Sequence, residues 1–526
     1  MRIAGSTLHK IPGPPVKSFW TGHFSQFFAR DGENFQRHLA SYGPITKING
    51  FLGQPILCVA DPKALHYILV KEEHIYQETD DFISGNILYF GPGLLSTLGQ
   101  QHANQRKILN PVFSINHMRH MLPLFYSIVH KLRDAIRYRV QDGPRELDVL
   151  HWMGRTALEL IGQGGLGYTF DPLVEDRIDP YGEALKAIVP LAFRLSVFVK
   201  LVLPLSKRLV PRWLRRAVVR LFPTASTVNL LAEVVNTMHE RSSAIYQETK
   251  LRVVGVDAEV VKQIDGRKDI LSSLIRANTA ADVKDQLSEE EIVGQISTLL
   301  FAATDTTSTA LSRILHLLAQ HPHVQQKLRH ELLEANAADE VSYEELNKLP
   351  ILDSVCRETL RLHPLVVSYS ECMATKDTVL PLFKPITLTD GRQTSEIPIA
   401  KGSEILLEYL GCNVSKSLWG EDSLEWKPER WLSGISTKVA DARVPGVYSH
   451  LMSFAGGKRA CIGFKFAEME MKTVLSVLVS TFTFELSDKP IAWNMAGIMY
   501  PTAGKESSNP SLPMKVGLYN LNVPRV

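Results

Sequence analysis

No part of this chain limits its possible folds as tightly as the segment from Ser288 to Pro322, "SEEEIVGQISTLLFAATDTTSTALSRILHLLAQHP". Ser288 stands at an N-cap with Glu291 three residues on, the capping-box spacing, and Pro322 marks the far end. The helix bounded in this way has about 32 residues and a length of roughly 48 Å at 1.5 Å per residue, enough to cross a whole domain. Its apolar middle reads "FAATDTTSTA", and an acid with several threonines there runs against both burial and helix propensity. Asp305 has no basic residue at i±3 or i±4 to pair with it. The stretch therefore reads as a polar notch of an active site, in preference to an inert polar stripe.

A second stretch, "SFAGGKRACIGFKFAEME" at residues 453 to 470, sets Cys461 between glycine-rich backbone and another helical sequence. Gly456 and Gly457 permit turns that a Cβ would bar, and Gly463 lets backbone or a flat ligand come close just past the sulfur. Lys458, Arg459 and the positive end of a helix starting near Gly463 all favour thiolate over thiol. A buried structural cysteine is the alternative reading of this stretch taken alone. The chain has five cysteines, Cys58, Cys356, Cys372, Cys412 and Cys461, with no C-x-x-C pair among them. An odd, scattered set argues against a disulfide framework and a zinc site, and suggests a reducing environment. A metal at Cys461 would have that cysteine as its sole thiolate.

With 526 residues, 45% hydrophobic and 21% charged, the chain can bury a very large core. A net charge of +3 and the lack of an aromatic-basic repeat argue against a nucleic-acid partner. No window reaches the 18 or so uncharged apolar residues that a spanning helix needs, and the best candidate, Ala187 to Leu205, is interrupted by Pro190, Arg194 and Lys200. The first ten residues are too short and polar for a signal peptide and run into "IPGPP", whose prolines exclude helix. Strand-like runs, "ITKINGF" and "PILCVAD", occur early, and residues 147 to 326 are mostly helical around a polar loop at 253 to 267. Short β segments return between Pro381 and Leu407, followed by one more helix to about Ser480. The expected class is mainly α with small β-sheets. No linker is evident, so the expected organisation is a short N-terminal segment and hinge, residues 1–15, followed by one domain, residues 16–526.

Two further features complete the pattern. In "ETLRLHP", Glu358 and Arg361 share a helix face that must end before Pro364, and in "WKPERW" Arg430 sits where it could reach the same glutamate. A buried Arg-Glu-Arg set of this kind fixes geometry more than it adds stability. Taken together and in this order, these features resemble the cytochrome P-450 family of haem-thiolate monooxygenases, with a match from about Pro12 to the end. Phe454, Gly457, Arg459, Cys461 and Gly463 fit the family's F-x-x-G-x-R-x-C-x-G signature without a mismatch. Glu358 and Arg361 match its E-x-x-R, Arg430 its P-E-R arginine, and "AATDTT" its oxygen-activation motif. The stretches around "HPLVVSYSECMATKDTVLPL" and "KGSEILLEYLGCNVSKSLWGED" look like those of fungal members.

The resemblance implies a single cytochrome P-450 haem domain in which Cys461 is the axial ligand of haem b iron, a thiolate that favours O–O cleavage. Arg459 would pair with a haem propionate and Phe454 would pack on the macrocycle. Upstream, "HANQR" takes the place of a W-x-x-x-R motif, so Arg106 would clasp a propionate and His102 would replace the tryptophan donor. Ala303 stands where glycine is usual, beside Ala302, and Glu371 falls where an arginine often meets the second propionate. Asp305 and Thr306 would order protons toward the distal oxygen. The resemblance implies that NADPH would act through a cytochrome P-450 reductase, which would dock near Cys461, Lys458 and Lys465. The implied substrate is apolar and of terpenoid or similar size, in a pocket lined by "ISGNILYFGPGLL", residues 299–303 and 366–369, and "MAGIMYP". A haem-thiolate isomerase or dehydratase and a non-catalytic haem sensor or carrier are the alternatives. The basic, apolar stretch 191–222 carries eight cations and Trp213 without an acid. It reads as an interfacial segment, placing the enzyme peripherally on the cytoplasmic side of the endoplasmic reticulum membrane.

Overall fold

The capping box closes as its spacing demands. In the computed structural model, Ser288 Oγ accepts from Glu291 N at 3.2 Å while Glu291 Oε2 accepts from Ser288 N at 2.9 Å. The helix runs over Glu289–Gln320, 32 residues, and the next begins at Pro322, where a proline's missing N–H costs nothing. The structure describes residues 8–27, 29–171, 173–174, 179–195, 225–254, 269–366 and 368–519. The class is mainly α with small sheets, as the sequence implies. Residues 253–254 of the expected polar loop end the helix Ala225–Val254, and the rest of that loop and most of the basic stretch 191–222 lie outside the described residues.

The chain packs as two compact units. The first comprises Met1–Thr79, Leu132–Met153 and Thr306–Val526; the second comprises Asp80–Lys131 and Gly154–Asp305. Each is assembled from segments distant in sequence, so neither is a contiguous domain, and the long helix contributes to both.

The first unit holds the sheets. The early apolar runs form the strands Ile45–Asn49 and Pro55–Val59, an antiparallel pair with Ile45 opposite Val59. The second of these pairs in parallel with Glu404–Glu408, followed by Ser368–Ala374 and Tyr76–Glu78 in a five-stranded sheet. Alternate residues of a strand share a face, which is why Ile56 and Cys58 enter one apolar cluster with Ile48, Leu406, Leu362, Met495 and Met499. The segment "IPGPP" does not form helix. Pro12 O instead accepts from Lys47 N at 3.0 Å, and Gly13 comes so close that a Cβ would lie 2.0 Å from Lys47 O. The helices Pro350–Leu362 and Phe464–Thr481 complete what this unit gives to the site.

The second unit is helical. It includes Asp80–Phe90, Gly99–Leu109, Pro180–Arg194, Ala225–Val254, Ile270–Ala280 and the first half of the long helix. Buried hydroxyls tie three of these together: Ser242 Oγ lies 3.2 Å from Tyr181 Oη and 3.0 Å from Ser297 Oγ. Pro190 does not end its helix, which continues to Arg194. A proline removes one donor without obliging the rest of the helix to stop. Among the described residues no helix is long and apolar enough to cross a membrane.

Candidate active site

Cys461 is exposed, whereas Cys58, Cys356, Cys372 and Cys412 are all buried. Burial holds those four thiols above the ordinary range, which makes them inert. The exposed sulfur is held by its backbone. The strand Leu451–Gly456 runs into a 3-10 turn at Gly457–Arg459, and Cys461 N donates back to Phe454 O at 2.9 Å. Gly457 has φ +68°, and a Cβ there would stand 1.9 Å from Leu69 O. This position therefore admits only glycine. Gly463 is the N-cap of the helix Phe464–Thr481, so the positive end of that helix lies two residues beyond the sulfur. Phe454 packs edge-on against Tyr448 at 5.3 Å and lies 6.2 Å from Phe464.

Arg459 lies beside this loop and makes an ion pair with Glu78, Nε to Oε1 at 2.8 Å, with both side chains mostly buried. Lys458 pairs with Glu73. Neither acid stands out in the sequence, since both belong to a short polar run far from the cysteine. Glu371 is in the strand Ser368–Ala374, next to a register irregularity at residues 369–371.

The triad forms around Glu358, which is fully buried with Arg361, while Arg430 is half-buried. Arg361 donates to both carboxylate oxygens at 2.9 and 2.8 Å, and both side chains are fully shielded from solvent. Trp431 Nε1 and Lys427 N donate to the same carboxylate at 2.9 and 3.0 Å, and Arg430 Nε approaches it at 3.4 Å. With this many donors the charge is compensated, as a buried carboxylate requires. The set also positions the cysteine loop. Arg361 Nη1 donates to Asn413 O at 3.1 Å, and the Asn413 amide holds Met452 N at 2.8 Å and Ser453 Oγ at 2.9 Å, just before Phe454.

The second unit carries the other candidates. His102 is buried and Arg106 half-buried, one turn apart on the helix Gly99–Leu109. On the long helix Ala302 is exposed, Ala303 and Asp305 are half-buried, and Phe301 stacks on Phe90 with centroids 4.7 Å apart. Loss of solvent pushes the Asp305 carboxyl up to about 6, opposed by the charge of Lys186 on a neighbouring helix. An acid held at about 6 can exchange a proton at mildly acidic to neutral pH. Thr306 follows it directly and is half-buried.

Glu470 escaped sequence reasoning. It is fully buried with both carboxylate oxygens lacking a hydrogen-bond partner, and burial pushes it well above the usual carboxylate range while the Thr307 hydroxyl opposes the shift. Its local sequence carries no mark of that burial, since Glu468 and Lys472 flank it on the same helix.

Comparison with known proteins follows the same residues. The model of the cytochrome P-450 family matches residues 12–504. The chain is 57% identical to cytochrome P-450 monooxygenase 81 of Postia placenta over 515 residues, 98% of this chain and 94% of that one. It is 52% identical to cytochrome P-450 monooxygenase 212 of the same fungus over 522 residues, 98% and 95% of the two chains. Ganoderic acid synthetase of Ganoderma lucidum is 45% identical over 520 residues, 98% and 94% of the two chains.

Proposed function

Because the chain belongs to the cytochrome P-450 family of haem-dependent monooxygenases, we propose that it inserts one oxygen atom into an apolar small molecule of terpenoid or similar size, with electrons from NADPH delivered by a reductase. The observation that carries this reading is the single exposed cysteine, held on a glycine-shaped loop at a helix N-terminus. The residues fit the implied group: one exposed cysteine at a helix N-terminus, with no second cysteine beside it, suits a haem iron and not a zinc cluster. Cys461 would hold the iron, Arg459, Arg106 and His102 the propionates, and Phe454 the flat face of the ring. Haem, when bound, supplies the activation of dioxygen. The protein supplies the proton path: Asp305, titrating at about 6, takes a proton from solvent, and Thr306 passes it onward from its hydroxyl. Ala302 and Ala303 leave room beside that path.

The nature of the relatives supports the substrate class. One, from Ganoderma lucidum, is named for ganoderic acid synthesis, and the stretches proposed to line the pocket carry almost no charge. Lys465, on the first turn of the cysteine helix, is a docking point for an acidic flavoprotein. Residues 191–222 would hold the enzyme on a membrane surface where an apolar substrate concentrates. The decisive experiment is reconstitution with a fungal reductase, NADPH, isotopically heavy dioxygen and a panel of sesquiterpenoids, triterpenoids and fatty acids. Product carrying one heavy oxygen, formed only with reductase and NADPH, supports the reading; turnover without either would point to an isomerase or dehydratase.

A further inference from the structure

The helix Glu289–Gln320 has one face on which a loop of the same unit is seated with unusual closeness. At 100° per residue, Glu291, Gly294, Gln295, Thr298, Phe301, Ala302 and Asp305 fall within an arc of about 120°. The segment 90–98 and the helix after it contact this stripe from Glu291 to Phe301. Gln105 Nε2 donates to Glu291 Oε1 and to Pro92 O, both at 3.0 Å, and its Oε1 accepts from Thr97 Oγ1 at 2.9 Å. Leu94 N donates to Gln295 Oε1 at 3.1 Å. Between these contacts, backbone meets backbone. A Cβ on Gly294 would lie 2.9 Å from Gly93 N and 3.1 Å from Pro92 N, and one on Gly93 would lie 2.6 Å from Thr298 Oγ1 and 2.7 Å from Gly294 O. Neither position has room for a side chain. The closeness is costly: Thr298 Oγ1 and Gln295 Nε2 are left buried without hydrogen-bond partners. At the far end of the contact Phe90 stacks on Phe301, immediately before the exposed Ala302.

We propose that the glycine-to-glycine contact between residues 93 and 294 is a latch that fixes Phe90 against Phe301 and so sets the size of the substrate space beside Ala302, which makes Gly93, Gly294 and Phe90 positioning residues for specificity. This rests on the reading above that Ala302 borders the reacting site. The latch works because neither glycine carries a Cβ: the loop lies as close to the helix as main-chain atoms allow, and the phenyl ring is held where the next turn opens. Alanine at 294 forces the loop outward while the helix itself is not weakened, since alanine is the better helix former.

The test uses haem-loaded protein, two azole probes and hydrogen exchange. Wild type, Gly294→Ala and Phe90→Ala are titrated spectrally with imidazole and with 4-phenylimidazole, and amide exchange over residues 91–98 is followed in wild type and Gly294→Ala. Imidazole is too small to reach the wall, so its Kd stays within about twofold in both variants. Binding of 4-phenylimidazole weakens about tenfold or more in both, and exchange over 91–98 quickens about tenfold in Gly294→Ala only, because Phe90→Ala leaves the glycine contact intact. Equal weakening of both azoles, unchanged discrimination between them, or unchanged exchange in Gly294→Ala overturns the proposal. If Gly294→Ala does not load haem, Gln105→Leu, which cuts three hydrogen bonds of the same latch, takes its place under the same criteria. A wild-type protein that shows no azole-induced haem shift sinks the monooxygenase reading instead, so the two failures are separable.

Discussion

Asp305 is a residue placed at a cost. Its carboxyl is pushed from 3.8 to about 6, chiefly by loss of solvent, a shift worth on the order of 3 kcal/mol that its partial exposure reduces to about 1–2 kcal/mol. The folded-state value lies above the unfolded one, so the folded protein binds the extra proton between the two. Stability from this group is therefore lost as pH rises from about 4 to about 6, and the penalty is fully present above that. Asp305→Asn should stabilise the protein by about 1–2 kcal/mol in chemical denaturation at pH 8, with the gain shrinking as pH falls through 6. A gain that is independent of pH would show that ionisation is not the cause. The same variant should lose turnover, and Thr306→Ala should keep haem while diverting NADPH electrons to peroxide; unchanged coupling of NADPH oxidation to product would remove Thr306 from the proton path. The sequence pointed to both residues because polar side chains in the middle of a long apolar helix are conspicuous. Lys186, Glu78 and Glu470 were not legible. Nothing in their local spacing reveals which residue they meet, and Glu470 is explained only by a burial that the fold creates.

At the scale of elements, the buried ion set and the cysteine loop form one mechanical part. Arg361 reaches Glu358, Asn413 and Ser423 with three nitrogens, and the Asn413 amide fixes the strand that leads to Phe454. Arg361→Lys keeps a charge near Glu358 but loses the donors at 3.1 and 2.6 Å to Asn413 O and Ser423 O. At about 1 kcal/mol or a little more for each lost bond, it should destabilise by about 2–3 kcal/mol, read from denaturant midpoints, and should shorten the lifetime of bound haem. An unchanged lifetime would mean that the triad does not position the loop. The helices and strands that carry these residues were legible from capping residues, prolines and apolar runs. The triad was only partly so, because a glutamate and an arginine three apart usually lie on an exposed face. The seating of residues 90–98 on the long helix was not legible at all: Gly93 and Gly294 are about 200 positions apart, and a glycine's meaning depends on what approaches it.

At the scale of the whole molecule, the proposed function adds a membrane surface and an electron donor outside the chain. Liposome flotation at low salt should bring wild type up with anionic vesicles, and reversal of Arg212, Arg215 and Arg216 to Glu should leave it in the soluble fraction. Equal behaviour of the two proteins would assign the basic stretch to solubility alone. The class of fold was read correctly from the pattern of helices and short strands. The interleaving of two units from five segments was not, since it depends on contacts between residues far apart in the chain. All of these expectations depend on the sulfur of Cys461 being the ligand of a haem iron. The measurement that tests this most directly is the reduced, carbon-monoxide difference spectrum of the purified protein and of Cys461→Ser. The account predicts a strongly red-shifted Soret band in wild type that is absent from the variant; the same band in both would contradict it.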